Sequence, residues 1–224
     1  ELFEKALHDR SYTHQDMTAD YAKLWNEYPE DLFETSKQKE DMAKRAEDSI
    51  KTFYTTLLSI PMPFVTEKTI FYSIGEGLPE VRFTMDLIVE NEKGNLEMHD
   101  WKTGRVMVGQ KINTDLQAPL YIYGVEKHYG RQVDSFTFHY LNEGKTRTFH
   151  RVSENVYECQ VRNNKYRIDL INAIREVKSL FSHIVKGNFD VPKNPKYMKH
   201  ACNICHIRKA GLCSGAEEQV WKFK

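Results

Sequence analysis

The stretch from Phe83 to Gly104, FTMDLIVENEKGNLEMHDWKTG, constrains this chain more than any other. β-branched and large apolar residues flank a charged, Gly-containing break at Glu92-Lys93-Gly94, which predicts two strands joined by a tight turn. With Lys93 at the apex, residues whose numbers sum to 186 face one another, so Asp86 falls opposite Asp100. Directly opposed residues have Cβ atoms about 4.5–5.5 Å apart, and like charges placed so are destabilising. Such a pair calls for a compensating cation. Side chains alternate faces along a strand, so Lys102 joins Asp100 while His99 and Trp101 point the other way. Two carboxylates and one ammonium converge, spaced to hold a hard divalent ion such as Mg²⁺.

After Lys102 a loop is expected over Thr103 to Asn113 and a helix from Asp115 to Tyr129. Gln117 and Tyr121 are four apart and project from one helical face. Thr114-x-x-Gln117 also has the pattern of a capping box, which would engage the Gln side chain at the helix start. Taken in order, Asp86, Asp100-Trp101-Lys102-Thr103-Gly104 and Gln117-x-x-x-Tyr121 resemble the RecB-type branch of the PD-(D/E)XK nucleases. That branch includes CRISPR-associated RecB-like exonucleases and the nuclease domains of bacterial helicase-nuclease complexes. The motifs cover Arg82 to Tyr121.

The resemblance implies an α/β (α+β) fold with a restriction-endonuclease-like core, a mixed central sheet flanked by helices. It implies a divalent-metal-dependent DNA nuclease, an exonuclease hydrolysing phosphodiester bonds in DNA repair, recombination or processing. Asp86, Asp100 and the Trp101 carbonyl would hold Mg²⁺ or Mn²⁺, and Lys102, Gln117 and Tyr121 would complete the catalytic set. DNA is the implied partner, with a helicase or other repair or recombination protein beside it. The alternative is a catalytically silent DNA-binding module, or an iron-sulfur or zinc structural adaptor of a helicase-nuclease assembly. The family also carries a helical His ahead of an acidic amphipathic stretch like Glu1 to Leu7. The chain begins with Glu rather than Met, so that His is expected just before Glu1 in a longer or processed protein. His8 and His14 are the nearby stand-ins, read otherwise as surface histidines. Glu67 divides in the same way between a carboxylate assisting the metal and an exposed edge-strand charge.

The flanking segments supply layers for this centre. Helices are expected over Asp16 to Tyr28 and Ser36 to Ser59, the second opened by a Thr35-x-x-Gln38 capping box. Its stripe of Met42, Ile50, Phe53, Tyr54, Leu57 and Leu58 reads as core, and its charge run Lys37 to Arg45 as a solvated face. Phe64 to Ile74 alternates as a first strand, and Gly75 to Pro79 turns into the central hairpin. Val133 to Leu141 and Arg147 to Val152 form a second hairpin around Asn142-Glu143-Gly144, with Phe136, Phe138 and Tyr140 on one face as sheet packing. A long helix is expected from Ser153 to Lys186, stopped at Gly187.

Beyond Gly187, Cys202-Asn203-Ile204-Cys205 and Cys213 have metal-ligand spacing, approached by Lys193, Lys196 and Lys199. Residues 1–187 therefore read as the core and 188–224 as a Cys-rich tail clamped to it. By resemblance the three thiolates hold a [4Fe-4S] cluster, with Cys159 as a fourth ligand if the chain brings it near. Zinc is the rival occupant, with His200 or His206 as fourth ligand. Formal net charge is zero although 29% of residues are charged, so nucleic acid must meet a local patch rather than a globally basic surface. No apolar run spans a bilayer and no secretory signal is apparent, which predicts a soluble, cytoplasmic protein.

Overall fold

A computed structural model describes residues 2–29, 32–78, 80–107 and 115–185. Three helices come first: α1 (Leu2–His8), α2 (His14–Glu27) and α3 (Ser36–Leu57). Strands β1 (Pro63–Ser73), β2 (Glu80–Glu90) and β3 (Leu96–Lys102) follow, then helix α4 (Gln117–Tyr129) and β4 (Val133–Tyr140). A 3-10 turn at Leu141–Glu143 leads to β5 (Lys145–Ser153), β6 (Val156–Val161), β7 (Asn164–Asp169) and α5 (Leu170–Val185). The chain divides into two units, Glu1–Lys178 and Ser179–Lys224; the described part of the second, residues 179–185, is helical. Among the described residues no helix is long and apolar enough to cross a membrane.

Among the described residues, seven strands join one sheet in the order β1 to β7. Every neighbouring pair is antiparallel except β3 and β4, which run parallel. Parallel neighbours need a crossover, and α4 is that crossover. The mixed sheet with flanking helices matches the restriction-endonuclease-like architecture the sequence implied.

One face of the sheet is covered by α1 to α3. Leu7, Met17, Ile50, Phe53 and Leu57 bury themselves against Leu87, Val89 and Leu141, and Phe53 meets Trp101 edge-on at 4.8 Å. A buried side chain of this size contributes about 1.5–3 kcal/mol. The N-terminus of α3 is capped as the sequence predicts, Thr35 Oγ1 accepting from Gln38 N–H at 3.1 Å. The reciprocal arm lands one residue early, because Gln38 Oε1 accepts from Glu34 N–H at 2.7 Å. At the other end Arg10 donates to the Leu57 carbonyl at 2.7 Å and the Pro61 carbonyl at 3.0 Å, tying off the helix. Two members of the expected stripe are not core: Met42 is 46% exposed and Leu58 71%.

On the other face α4 seats itself through aromatic contacts. Tyr121 stacks on Phe83 at 4.4 Å, and the Tyr72 hydroxyl donates to the Leu120 carbonyl at 2.9 Å. Gly124 makes this approach possible: a Cβ there would lie 2.4 Å from Phe83 and 2.5 Å from Tyr72 ring carbons.

The long helix expected from Ser153 to Lys186 is not found. Its first half is the β6–β7 hairpin, paired from Val156↔Asp169 to Val161↔Asn164, and among the described residues of that range the helix is Leu170–Val185. Val156 to Val161 buries alternate residues, Tyr157 and Cys159, which is a strand period. The turn was hidden because Arg162 takes a φ of 54° where Gly or Asn usually stands.

Candidate active site at the open end of β2 and β3

Between β2 and β3 the pairing follows the sum of 186 from Glu90↔Leu96 to Leu87↔His99. The next pair would be Asp86 and Asp100, and there the ladder opens. Instead of strand pairing, the Trp101 N–H donates to Asp86 Oδ2 at 2.7 Å. Two like charges at the place where backbone pairing stops leave a polar mouth between the strands.

Asp100 is only 3% exposed. Its Oδ1 accepts from Gln117 Nε2 at 3.0 Å, and Gln117 Oε1 accepts from Lys102 Nζ at 2.7 Å. Lys102 Nζ also lies 2.7 Å from Asp100 Oδ2, closing a ring of three side chains. That last contact is charge proximity without hydrogen-bond direction, because Oδ2 receives no hydrogen bond of acceptable geometry. Lys102 further sits 5.4 Å from the centre of the Phe138 ring. Leu116, not Thr114, is the N-cap of α4, and it makes no side-chain cap. Gln117 is thus the first helical residue, and its amide is turned to the Asp100 and Lys102 side chains rather than engaged in capping.

Burial raises the Asp100 carboxyl to about 6; Asp86's charge adds to the rise and Lys102 opposes it. Asp86 is raised as well, first by burial, against the Trp101 N–H and Lys102. Carboxylates that resist ionisation because they are buried together are relieved by any cation, proton or metal. The donor set is of the kind a hard divalent ion takes, and Asp86 and Asp100 could serve as its anionic ligands. Among the described residues no group of three or more His, Cys, Asp and Glu forms a ready-made cage. An ion held by two carboxylates keeps its other positions for carbonyl, water and phosphate oxygens, which is how Mg²⁺ is usually bound.

Other residues singled out from the sequence are distributed as follows. Tyr121 lies one turn beyond Gln117, and burial raises its phenol while Gln117 acts against that rise. Thr66 pairs with Leu87 and Lys68 with Met85, so Glu67 falls opposite Asp86. Its φ of 46° is left-handed inside a strand, and burial and Asp86's charge raise its carboxyl. His8 Nε2 lies 2.7 Å from Thr66 Oγ1, beside Glu67. His14 packs edge-on against Tyr54 on α3 at 5.7 Å, away from these carboxylates. Cys159 is buried on β6 rather than on a helix, and burial pushes its thiol up. Cys202, Cys205 and Cys213, with His200 and His206, lie outside the described residues.

His99 and Trp101 do point away from Asp100. What the sequence did not reveal is their partner. His139 on β4 pairs with Trp101 across the parallel strands, its Nε2 is 2.9 Å from His99 Nδ1, and its ring lies 4.5 Å from Trp101. The pair is buried directly behind the strand that bears the carboxylates. No local signal announces it, because β3 and β4 meet only through the α4 crossover.

A hairpin that opens onto a buried and a half-buried acid, with a lysine two positions on and a glutamine from the following helix, is an arrangement that could serve phosphodiester chemistry. No curated protein matches the chain. The sequence pattern of the PD-(D/E)XK nuclease superfamily, whose members are typically nucleases and commonly use Mg²⁺ or Mn²⁺, matches residues 1–210. The chain belongs to the PD-(D/E)XK nuclease superfamily.

Proposed function

We propose that this protein is a RecB-type deoxyribonuclease, an exonuclease acting in DNA repair, recombination or processing, alone or beside a helicase. The ring of Asp100, Gln117 and Lys102 facing Asp86 carries the reading. Asp86, Asp100 and the Trp101 carbonyl would hold Mg²⁺ or Mn²⁺, with Glu67 close enough to Asp86 to assist. Bound there, the ion would polarise a phosphoryl oxygen and lower the pKa of a water. Lys102, a compact point charge, orients the attacking water or offsets negative charge developing on the phosphate. Gln117 fixes the Lys102 ammonium by accepting its hydrogen bond, and fixes Asp100 by donating to it. Tyr121, held flat on Phe83, braces the helical turn that presents Gln117. The buried Asp100 and half-buried Asp86 carboxylates stay ready to bind a cation because they are poorly neutralised within the protein.

Residues 1–187 would form the nuclease core and 188–224 a tail held by Cys202, Cys205 and Cys213 on a [4Fe-4S] cluster or zinc. Either occupant would be structural, since the cutting groups lie on β2, β3 and α4. Visible absorbance and elemental analysis of freshly purified protein separate the two.

End-labelled single- and double-stranded DNA incubated with Mg²⁺ or Mn²⁺ should be shortened from the ends by the parent protein. The Lys102→Ala protein should leave both intact. Equal digestion by Lys102→Ala and Asp100→Ala proteins would remove the proposed mechanism. Binding without any digestion by the parent would favour the silent DNA-binding module.

A further inference from the structure

Parallel pairing puts Phe138 beside Asp100 and Tyr140 beside Lys102, and antiparallel pairing puts Arg147 of β5 beside Phe138. Directly paired residues share a face, so Asp100, Lys102, Tyr140 and Arg147 all stand on the α4 side of the sheet. Two strand spacings, about 10 Å, separate the Asp100 and Arg147 backbones. The charges of Asp115, Arg147 and Asp100 all act on the Tyr140 phenol, which places the four groups in one polar neighbourhood.

Arg147 is anomalous there. Its Nε is buried without a partner, and its recorded hydrogen bond is to the neighbouring Thr146 carbonyl at 2.9 Å. Among the described residues it enters no ion pair, whereas Arg131 and Arg151 each find a glutamate. Only Nε is enclosed, and the side chain as a whole is half-exposed, so the rest of the guanidinium stays open to an incoming group. Its planar fork matches a phosphate in two-point contact. The anion that would satisfy it approaches on the same face as the two acids, within reach of a strand laid across β3 to β5.

We propose that Arg147 holds a backbone phosphate of the nucleic-acid strand one or two nucleotides from the bond cut at Asp86 and Asp100. The inference rests on the nuclease reading above, and it assigns this residue a binding role that sets where the strand lies. Phe138, buried between Asp100 and Arg147, acts as the spacer.

The test uses the whole chain with a fluorescent single-stranded oligonucleotide in EDTA, so that nothing is cut, and reads anisotropy across a salt series. Arg147→Met keeps the length and apolar packing of the stem while removing the fork. It should weaken binding about tenfold for every sequence tried, and flatten the slope of log K against log salt by roughly 0.7, the loss of one phosphate contact on a single strand. With Mg²⁺ added, KM should rise by the same factor as Kd. Unchanged affinity and slope in a protein that melts with the parent overturn the proposal and leave the nuclease reading standing. A parent protein that neither binds nor digests DNA overturns both. Should Arg147→Met fail to fold, phenylglyoxal modification of the parent decides, read by mass spectrometry at Arg147. Protection by the oligonucleotide supports the contact, and equal modification with and without DNA refutes it.

Discussion

Strand β3 buries an acid on one face and a histidine on the other to similar depth, Asp100 at 3% exposure and His99 at 9%. The two faces handle the burden differently. On the α3 side His99 and His139 share one hydrogen bond, and burial drives them down to about 4 and about 3. That pair is neutral at pH 7 and holds no charge against the low-dielectric interior. On the α4 side Asp100 is raised only to about 6, so it stays ionised at pH 7 beside Asp86, with Lys102 as partial compensation. Neutralisation yields packing; a retained charge yields a place for a cation. The contrast lies in what stands opposite each group, an uncharged ring in one case and a second carboxylate with an ammonium in the other.

The widest split between the faces should appear in Asp100→Asn. Cleavage should fall by roughly 10³-fold, as when a directed charge in a reaction centre is removed. Thermal stability at pH 7.5 should rise. The sign follows from the raised carboxyl: its stabilising contribution is complete below the ordinary value of 3.8 and is lost as pH rises through about 6. The gain from Asn should therefore vanish near pH 4. An Asp100→Asn protein that melts lower than the parent at pH 7.5 would show that Lys102 and Gln117 already satisfy the acid.

Mg²⁺ should stabilise one face alone. At 100 times its Kd an ion bound only by the folded protein contributes about 2.7 kcal/mol. Differential scanning fluorimetry should show that rise in the parent and its loss in Asp100→Asn, while His99→Leu/His139→Leu keeps it. Gly124→Ala forces a methyl against Phe83 and Tyr72, and overpacking of this kind costs about 1–3 kcal/mol. Because α4 carries Gln117, that variant should lose melting temperature and cleavage together.

The histidine face gives the gentlest signal, a pH slope. Both imidazoles are held below the ordinary 6.5, so the unfolded chain takes up protons first as pH falls. Their contribution to stability is complete above 6.5 and declines toward pH 4. Replacing both by leucine removes two buried polar groups at once, which is close to neutral for stability, and should flatten that slope in urea titrations between pH 6.5 and 4. A parent whose stability is level over that window would contradict the buried neutral pair.

Local pattern made the candidate site readable to an unusual degree. The turn at Glu92-Lys93-Gly94 fixed the register, period-two alternation sorted Asp100 and Lys102 from His99 and Trp101, and a helical period aligned Gln117 with Tyr121. Each of these depends on residues close in sequence. The missed hairpin shows the opposite case: Arg162 sits in a left-handed turn that its residue type does not favour, so a strand pair read as helix. Nor could the sequence say whether Gln117 would cap its own helix or turn to the acids, because both options use the same amide and differ only in where β3 lies.

Sequence alone determined which residues could meet across one turn and which face each would take, since adjacent backbone geometry is fixed by the chain itself. Tertiary structure decided the rest. Parallel pairing of β3 with β4 set His139 behind Trp101 and, through β5, Arg147 on the carboxylate side. Burial, which no local pattern encodes, turned an opposed pair of acids into groups that resist ionisation. Charge and solvent exclusion are properties of what surrounds a side chain, and those surroundings come from segments far apart in the chain.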